Sequence, residues 1–448
     1  MIHIPLDSHL EAQFAPLKDA IIELVRIPSV CDEGADGFPF GPAVDRALRK
    51  ALEIAAGLGF RTFYEEDGYY GYAEVGEGQE ILGIMGHVDV VPAGSLEDWA
   101  IYPFDPVERD GMLYGRGTQD DKGPLLAALF AVRALMDARV NLNKRVRFIF
   151  GTDQESLWRG IKRYQVKEEL PAMGFAPDSR FPLVYVEKGL LQCLLEGNNK
   201  SGLRITGGSA FNTVPDSVTY YSAYQEDLAE ELRSRGYDYA GNDDVLIVMG
   251  KAAHAMEAEN GINAIAQLCI ALDALGTESG VVRFIACEVG EDPYATRIFG
   301  PCADKPSGQL KFNVSKIDVG ETEQIAIDCR IPVTLSKENI VNKLSAAARR
   351  YGLVYHEVDW LKPLFLPQDH FMIKTLMRVY SLISGDLVSD PIATDGVTYA
   401  RAMDNCVAFG AIFPDELNTE HQPNERVVLK NLHKAMEIYA QAVYELTR

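Results

Sequence analysis

The sequence predicts an α/β protein in which a mixed sheet flanked by helices is interrupted by a large inserted α+β domain. Two observations carry this expectation. Apolar segments of strand length, Ile81–Met85 and Val146–Phe150, enclose a Leu- and Ala-rich segment at Pro124–Met136, and strand–helix–strand order is typical of α/β sheets. The chain has 448 residues, which at roughly 100–200 residues per domain is enough for two or three domains.

The first element is an amphipathic helix. Apolar residues recur at three- and four-residue spacing from Leu10 to Val25, and Pro28 follows shortly afterwards. Each strand-like segment then ends at a glycine that polar residues follow, as strands commonly do. The segment Pro124–Met136 starts with proline near its first turn, where proline suits a helix.

The middle of the chain changes character, because short strands alternate there with helices: Val245–Met249, Gln324–Ile327, Asn263–Leu275 and Lys337–Tyr351. From Phe371 onwards the sequence returns to helix and loop. We therefore expect residues 1–188 and 366–448 to form one domain and residues 189–365 to form the insertion.

Composition excludes several classes of partner. The chain carries 43 Lys and Arg against 65 Asp and Glu, a net charge of −22, which argues against binding to nucleic acid or an anionic membrane surface. Its seven cysteines form no C-x-x-C pair, so we expect free buried thiols in a reducing compartment. Apolar stretches are far shorter than the ~18–20 residues that span a bilayer. We expect a soluble cytoplasmic protein.

Acidic residues and a histidine follow predicted strands or loops at three places: Gly86–Asp89, Gly117–Gly123 and Gly151–Ser156. Open α/β sheets bind ligands at the carboxyl edge of their strands, and imidazole with carboxylate suits zinc or manganese. A lone His-x-Asp is more often a turn or a satisfied histidine, and a lone Asp-Asp is more often solvated. The joint pattern predicts a metal site.

Further motifs make the sequence similar to the zinc amidohydrolase superfamily, which includes acetylornithine deacetylase, succinyl-diaminopimelate desuccinylase, carboxypeptidase G and carnosinase. Within it, the chain most resembles the PepV-type dipeptidases, and the resemblance runs nearly end to end. The motifs are Gly86–Pro92 with Trp99 and Pro103-Phe104, Gly115–Gly117, Asp120–Gly123, Thr152–Ser156, Gly174–Asp178, Ala253–Ala255, Thr398–Arg401 and Ala408–Gly410 with His421-Gln422.

The resemblance implies two divalent metal ions, zinc or alternatively manganese. One ion would be held by His87, Asp120 and Asp178, and the other by Asp120, Glu155 and His421, with Asp120 as the bridge. Asp89 would orient His87 by accepting the N–H of its other ring nitrogen. Taken alone, Asp178 could be a turn acid and His421 a loop histidine.

Position 154 departs from the family. The relatives have a glutamate before the metal-binding Glu155, where it acts as the general base, but this chain has Gln154. An amide is nearly isosteric with a carboxylate yet cannot accept a proton at neutral pH, and a general base contributes roughly 10²–10⁴-fold in rate. We therefore expect a severely impaired hydrolase. Both an engineered exchange and a natural pseudoenzyme fit this substitution.

The resemblance makes the inserted domain a lid that carries residues for the substrate. His254 would donate a hydrogen bond to the oxyanion, and Asn212 and Arg330 would bind the free carboxylate of the substrate. Without the resemblance, a capping histidine, a loop asparagine and a salt-bridged arginine would be favoured. Asp395 and Val397 stand where the family has glycines, and we expect them to reshape the substrate pocket.

These expectations describe a metallo-dipeptidase for dipeptides with a free amino terminus, disabled at its general base. The alternatives are an N-acyl amino acid deacylase on the same scaffold and a non-catalytic protein that binds metals and ligand. The inserted segment is long enough to replace a dimer partner, so a monomer is expected. Its partner would be a small peptide, with no nucleic acid and no membrane.

Overall fold

The computed structural model describes residues 5–33, 37–221, 226–242 and 244–448. The chain divides into two compact units, and the predicted α/β class with an interrupted helix-flanked sheet is confirmed. The first unit comprises Met1–Tyr185, Leu364–Ala393 and Thr398–Arg448, and the second comprises Val186–Pro363 and Thr394–Val397. The sequence did not indicate that the short segment Thr394–Val397 belongs with the second unit.

The first unit is built on a mixed sheet of nine strands in the described chain. In spatial order these are Arg61–Tyr64, Gly71–Val75, Arg145–Gly151, Ile81–His87, Met173–Ala176, Cys406–Ala408, Val184–Glu187 and Leu364–Phe365, with Ile392–Thr394 beside Val184–Glu187. A smaller sheet has three strands, with Met112–Tyr114 between Arg426–Val428 and Val107–Arg109. Another pairs Ala411–Ile412 with Ser179–Arg180.

The centre of this sheet is parallel. Ile81–His87 pairs in parallel with both Arg145–Gly151 and Met173–Ala176, and His87 lies opposite Gly151. Every residue of Ile81–His87 is buried, as expected for a parallel strand covered on both faces. Because parallel strands end at the same edge, residues that follow these strands are brought together there.

Helices cover this sheet. The expected helices are confirmed at Asp7–Val25 and Lys122–Asp137, and they pack against each other. Lys122–Asp137 is apolar and buried around most of its circumference, because Leu429–Thr447 also packs against it. The remaining α-helices described in this unit are Pro42–Gly57, Arg159–Lys167 and Phe371–Ser384.

The second unit contains an antiparallel sheet of eight described strands. In spatial order they are Asp238–Gly241, Val245–Met249, Ser217–Tyr221, Ile205–Gly207, Lys311–Val319, Thr322–Ile331, Gly189–Asn198 and Val354–Leu361. Short pairs lie outside it: Thr213–Val214 with Ala253–His254, and Ala303–Asp304 with Gly308–Gln309. Its α-helices are Glu226–Arg235, Ala264–Ala274, Gly280–Phe284, Thr296–Phe299 and Lys337–Arg349.

Three local expectations were wrong. The strand expected at Gln324–Ile327 extends over Thr322–Ile331 and so includes Arg330, because its pairing with Gly189–Asn198 continues to Ile331. The last part of the chain contributes Cys406–Ala408 to the sheet, a strand too short for an alternating pattern to indicate. All seven cysteines are free, but Cys287 is exposed, and Cys31 and Cys302 are half-buried rather than buried.

Among the described helices, none combines the length and the apolar character needed to cross a bilayer.

Candidate metal centre

Three of the predicted ligands lie at the ends of neighbouring parallel strands or just beyond them. His87 is the last residue of its strand, Glu155 lies four residues beyond Gly151, and Asp178 lies two residues beyond Ala176. Since these strands end at one edge of the sheet, side chains distant in sequence can meet there.

The first group of predicted ligands consists of His87, Asp120 and Asp178, which the structure brings close enough to hold one ion. The Nε2 atom of His87 lies 3.0 Å from Oδ1 of Asp120 and 3.8 Å from Oδ2 of Asp178. Ligand atoms about 2.1 Å from a tetrahedral ion are about 3.4 Å apart, so these three atoms surround a space of the size of a cation. His87 is fully buried, which fixes its ring.

The second group shares Asp120 with the first. The Nε2 atom of His421 lies 2.9 Å from Oδ2 of Asp120 and 3.0 Å from Oε1 of Glu155. Asp120 therefore turns one carboxylate oxygen to each group. His421 differs from His87 in that about half of its side chain is exposed and its backbone is left-handed, with φ of 61°.

The residues fit divalent cations. The Oδ2 atom of Asp178 is buried and has no hydrogen-bond partner among the residues that the structure describes. An unpartnered carboxylate oxygen in a protein interior is costly, and a cation beside His87 would supply its partner. Imidazole nitrogen and carboxylate oxygen are donors that zinc and manganese accept.

Neighbouring acidic residues raise the pKa of both histidines. Burial alone would lower the pKa of His87, but hydrogen bonds with Asp120 and Asp89 raise it well above its ordinary value. Partial burial would likewise lower the pKa of His421, but Asp120 and Glu155 raise it to about 11. A metal ion bound to these nitrogens would take the place of the proton.

The carboxylates of the cluster repel one another. Burial, with the nearby charges of Asp121 and Asp120, raises the pKa of Asp178 well above its usual range. Burial also tends to raise the pKa of Asp120, but hydrogen bonds from His421 and His87 bring it well below its usual range. A cation among these groups would relieve the repulsion.

Asp89 contacts His87 differently from the expected way. The Nδ1 atom of His87 lies 3.0 Å from the backbone oxygen of Asp89 and 3.5 Å from its carboxylate. The carboxylate instead accepts a hydrogen bond from the backbone N–H of Glu155 at 3.0 Å. Asp89 therefore orients the ring of His87 mainly through its backbone, and its side chain fixes the Glu155 loop.

Gln154 precedes Glu155 in that loop and is half-buried. Its backbone oxygen accepts a hydrogen bond from the indole N–H of Trp158 at 2.7 Å. Trp158 is buried and packs edge-on against Tyr399, with ring centroids 4.9 Å apart. Trp158 is therefore a packing residue, and its contacts hold the loop in place.

The second unit brings Asn212 and His254 together. The strands Thr213–Val214 and Ala253–His254 pair with Thr213 opposite His254, and the backbone oxygen of Asn212 accepts from the N–H of Ala255 at 2.8 Å. Nδ1 of His254 accepts from the N–H of Met256 at 3.1 Å. In a neutral ring the proton then lies on Nε2, which makes that nitrogen a donor.

Arg330 is buried in the second unit and already paired. Its Nε and one terminal nitrogen contact the two carboxylate oxygens of Asp328 at 2.7 and 3.0 Å, and its other terminal nitrogen donates to the backbone oxygen of Asp395 at 2.9 Å. These contacts use three of the five guanidinium donors. Arg330 is thus a salt-bridged residue, although an internal one.

Asp395 is held in the second unit. Its carboxylate lies 2.8 Å from the ammonium group of Lys188, and both side chains are largely buried. Burial raises the pKa of Asp395, and the neighbouring Lys188 opposes that change. Asp395 therefore anchors its loop through an ion pair.

Comparisons with known proteins identify the family of the chain. A model described as peptidase family M20/M25/M40 matches residues 83–445. The chain belongs to this family. It is 35% identical over 453 residues to the proposed dipeptidase YtjP of Bacillus subtilis (strain 168), which covers 95% of this chain and 96% of YtjP.

Two further similarities extend over almost the whole chain. The proposed dipeptidase SH1171 of Staphylococcus haemolyticus (strain JCSC1435) is 32% identical over 455 residues, 96% of each chain. Among solved structures, the dipeptidase Dug1p of Saccharomyces cerevisiae shares the fold with a TM-score of 0.62, at 14% identity and 98% coverage of both chains. The superfamily resemblance seen in the motifs is confirmed.

Sequence reasoning missed several buried groups beside the ligands of this M20 family member. Glu425 is fully buried and contacts the loop that carries Asp120. Burial and the charge of Asp120 raise its pKa to about 7. Glu425 lies four residues after His421, and an acid so close to a ligand in a loop was the available signal. The Gly115–Gly117 motif also contained Arg116 without indicating its partner.

Proposed function

We propose that this M20 family member is a metal-dependent dipeptidase that cleaves the amide bond of dipeptides with a free amino terminus, and that Gln154 severely impairs it. The observation that carries the proposal is the pair of ligand groups that share Asp120, one oxygen facing each histidine. The relatives named as dipeptidases support the substrate class.

His87, Asp120 and Asp178 would hold one divalent ion, and Asp120, Glu155 and His421 would hold the other. We propose zinc, with manganese as the alternative, because both accept this nitrogen and oxygen donor set. When bound, the two ions supply Lewis acidity, which polarises the peptide carbonyl and lowers the pKa of a water molecule.

Gln154 occupies the position from which a glutamate would take the proton of the attacking water. Its amide can orient that water by a hydrogen bond but cannot accept the proton or deliver it to the leaving amine. Asp89 supports this step indirectly, since its carboxylate fixes the backbone of Glu155 beside Gln154. The proposal covers an engineered exchange and a natural substitution alike.

In the second unit, we assign His254 to the oxyanion of the substrate and Asn212 to its carboxylate. The assignment of His254 is supported by the acceptor role of Nδ1, which leaves an N–H on Nε2. A donor aimed at a developing oxyanion contributes a few kcal/mol. Arg330 would contribute its two remaining donors, since its contacts with Asp328 and with the backbone oxygen of Asp395 use the other three.

We also propose that the protein acts as a monomer in the cytoplasm. The size of the second unit supports the monomer, because its sheet of eight described strands makes it large enough to replace a dimer partner. Light scattering on the purified protein tests the oligomeric state, and a mass of two chains would contradict the monomer.

The test of the function is hydrolysis by metal-loaded protein on a panel of dipeptides and N-acetyl amino acids. The chain and its Gln154→Glu variant are compared, with Gln79→Glu as a control that adds the same charge at an exposed position of the first unit. We expect Gln154→Glu to raise kcat on dipeptides by about 10²-fold or more, and Gln79→Glu to leave it unchanged.

Each other outcome has a distinct meaning. Preference for N-acetyl amino acids would replace the dipeptidase by a deacylase. Full dipeptidase activity of the unchanged chain, with no gain in Gln154→Glu, would contradict the assignment of position 154. Metal binding by both proteins without cleavage of any panel member would make this a binding protein.

A further inference from the structure

The buried carboxylate of Glu425 contacts the backbone of Asp120, the predicted bridge between the two metal positions. The Oε1 atom of Glu425 accepts hydrogen bonds from three backbone N–H groups, those of Gly117 and Gln119 at 2.9 Å and that of Asp120 at 3.2 Å. Its Oε2 atom accepts from a terminal nitrogen of Arg116 at 2.6 Å. Four donors thus converge on one side chain that has no exposed surface.

Gln119 ties the same loop to the segment that carries His421. The Oε1 atom of Gln119 accepts from the backbone N–H of Thr419 at 2.6 Å and from its hydroxyl at 2.8 Å. Arg116 also donates to the backbone oxygen of Gln422, at 3.4 Å. The residues on both sides of His421 are therefore connected to the residues just before the bridging aspartate. We call Arg116, Gln119 and Glu425 the loop clamp.

The clamp contains a compensated pair of buried charges. Arg116 and Glu425 are both nearly inaccessible to solvent, and the guanidinium of Arg116 lies 5.2 Å from the centre of the Trp99 ring. Removing the charge of Glu425 would leave that guanidinium without its carboxylate, and uncompensated buried charges are strongly unfavourable. The segment around His421 would then rearrange to solvate Arg116.

The two ligand groups depend on this clamp to different degrees. His87 lies at the end of a buried strand of the central sheet, and Asp178 follows another. His421 lies in a loop, and its side chain is half exposed. The sheet therefore fixes the first group, whereas the second group relies on the clamp for the distance between His421 and Asp120.

We propose that Glu425 is a positioning residue that sets the geometry between Asp120 and His421 and so controls affinity at the second metal position. The inference rests on the proposed function, because it requires the two metal positions to exist. Residues that orient metal ligands through hydrogen bonds typically affect metal affinity by 10–100-fold.

The experiment is a titration of the metal-free full chain with Co²⁺, followed by calorimetry and by visible absorption. Glu425→Gln retains the shape of the side chain but places an amide N–H₂ group where the Oε2 atom accepts from Arg116. The matched control is Glu416→Gln, because Glu416 is a half-buried glutamate of the first unit that accepts hydrogen bonds from Asn431 at 2.7 Å and the N–H of Val428 at 3.3 Å.

We expect the unchanged protein to bind two Co²⁺ ions. Glu425→Gln should weaken the second binding step by 10–100-fold and alter the absorption of that ion, with less than a threefold change in the first step. Glu416→Gln should retain both affinities and the spectrum. If Glu425→Gln does not fold, Glu425→Asp decides, because it keeps the charge beside Arg116 but shortens the side chain that reaches the N–H groups of Gly117, Gln119 and Asp120, and it should weaken the same step.

Two results would overturn the inference while leaving the metal centre intact: unchanged second-step affinity in the folded variant, or equal losses in both steps. The failure of the proposed function is distinguishable, because the unchanged protein would then bind fewer than two Co²⁺ ions. That result would overturn both.

Discussion

Two clusters of charged residues in this protein differ in how their charges are satisfied. The predicted ligands of the first unit (His87, Asp120, Glu155, Asp178 and His421), called the ligand cluster below, leave an oxygen of Asp178 without a hydrogen-bond partner among the described residues. The paired cluster of the second unit (Lys188, Asp328, Arg330 and Asp395) places a carboxylate beside each cation.

The difference separates a site from a structural network. Buried carboxylates that repel one another are tolerated where a cation is to bind, since the ion supplies the missing charge. A buried ion pair with a bidentate contact has no such requirement. The ligand cluster should therefore respond to metal, and the paired cluster should respond only to the loss of one of its own members.

The largest effect is expected from Asp120→Asn. Because Asp120 contacts both histidines, the amide should weaken both metal positions by more than about 100-fold each, or roughly 2.7 kcal/mol per ion. Calorimetric titration of the metal-free protein measures this change. Asp328→Asn alters a buried aspartate of the second unit and should leave both affinities intact; a loss of metal there would remove the distinction between the clusters.

The next largest effect is on folding rather than on metal binding. Asp328→Ala leaves Arg330 without its bidentate partner, and breaking a buried ion pair costs about 3–5 kcal/mol. Urea unfolding should show this loss with metal present and absent. Adding Arg330→Leu should restore most of the stability, because the uncompensated charge is then gone. A double variant as unstable as the single one would contradict this account of the pair.

Asp178→Asn should change stability in opposite directions with and without metal. In a chelator, the free energy of unfolding of the variant should be about 1–3 kcal/mol higher, since burial and the charges of Asp121 and Asp120 raise the pKa of Asp178 and an amide avoids the cost of either protonating or burying that carboxylate. In saturating Zn²⁺ the variant should instead be less stable than the unchanged protein. Chemical unfolding under both conditions measures the two signs, and a destabilised metal-free variant would show that Asp178 is already satisfied.

The smallest effect is expected from Asp395→Asn. Lys188 would lose its carboxylate but keep its hydrogen bond to the backbone oxygen of Gln309, and the backbone oxygen of Asp395 would still accept from Arg330. The free energy of unfolding should fall by about 1 kcal/mol, with no dependence on metal. A larger loss in Zn²⁺ than in chelator would connect this ion pair to the metal cluster.

The sequence predicted the elements that follow local rules. The helix at Asp7–Val25 and the strands ending at His87 and Gly151 have clear periodicity or apolar runs, and their order indicated the sheet. Because those strands end at one edge, the sequence also indicated which ligands could meet. The three-residue strand Cys406–Ala408 was not predictable, since its place depends on pairing with distant Met173–Ala176.

Sequence reasoning missed the groups whose role lies in their partners. Nothing in the spacing indicated that Glu425 binds the backbone around Gln119, because those residues are about 300 positions apart. The resemblance assigns Arg330 to the free carboxylate of the substrate, but the carboxylate that its side chain contacts is that of Asp328, two residues away on the same strand. Such contacts depend on register and loop path, which composition and periodicity do not report.

The central claim is that five side chains form two metal positions that share Asp120. Anomalous diffraction at the zinc absorption edge, from crystals of the full chain loaded with Zn²⁺, tests it most directly. We predict two peaks, one in contact with His87 and Asp178 and the other with Glu155 and His421, with Asp120 touching both. A single peak, or zinc bound away from Asp120, would contradict the account.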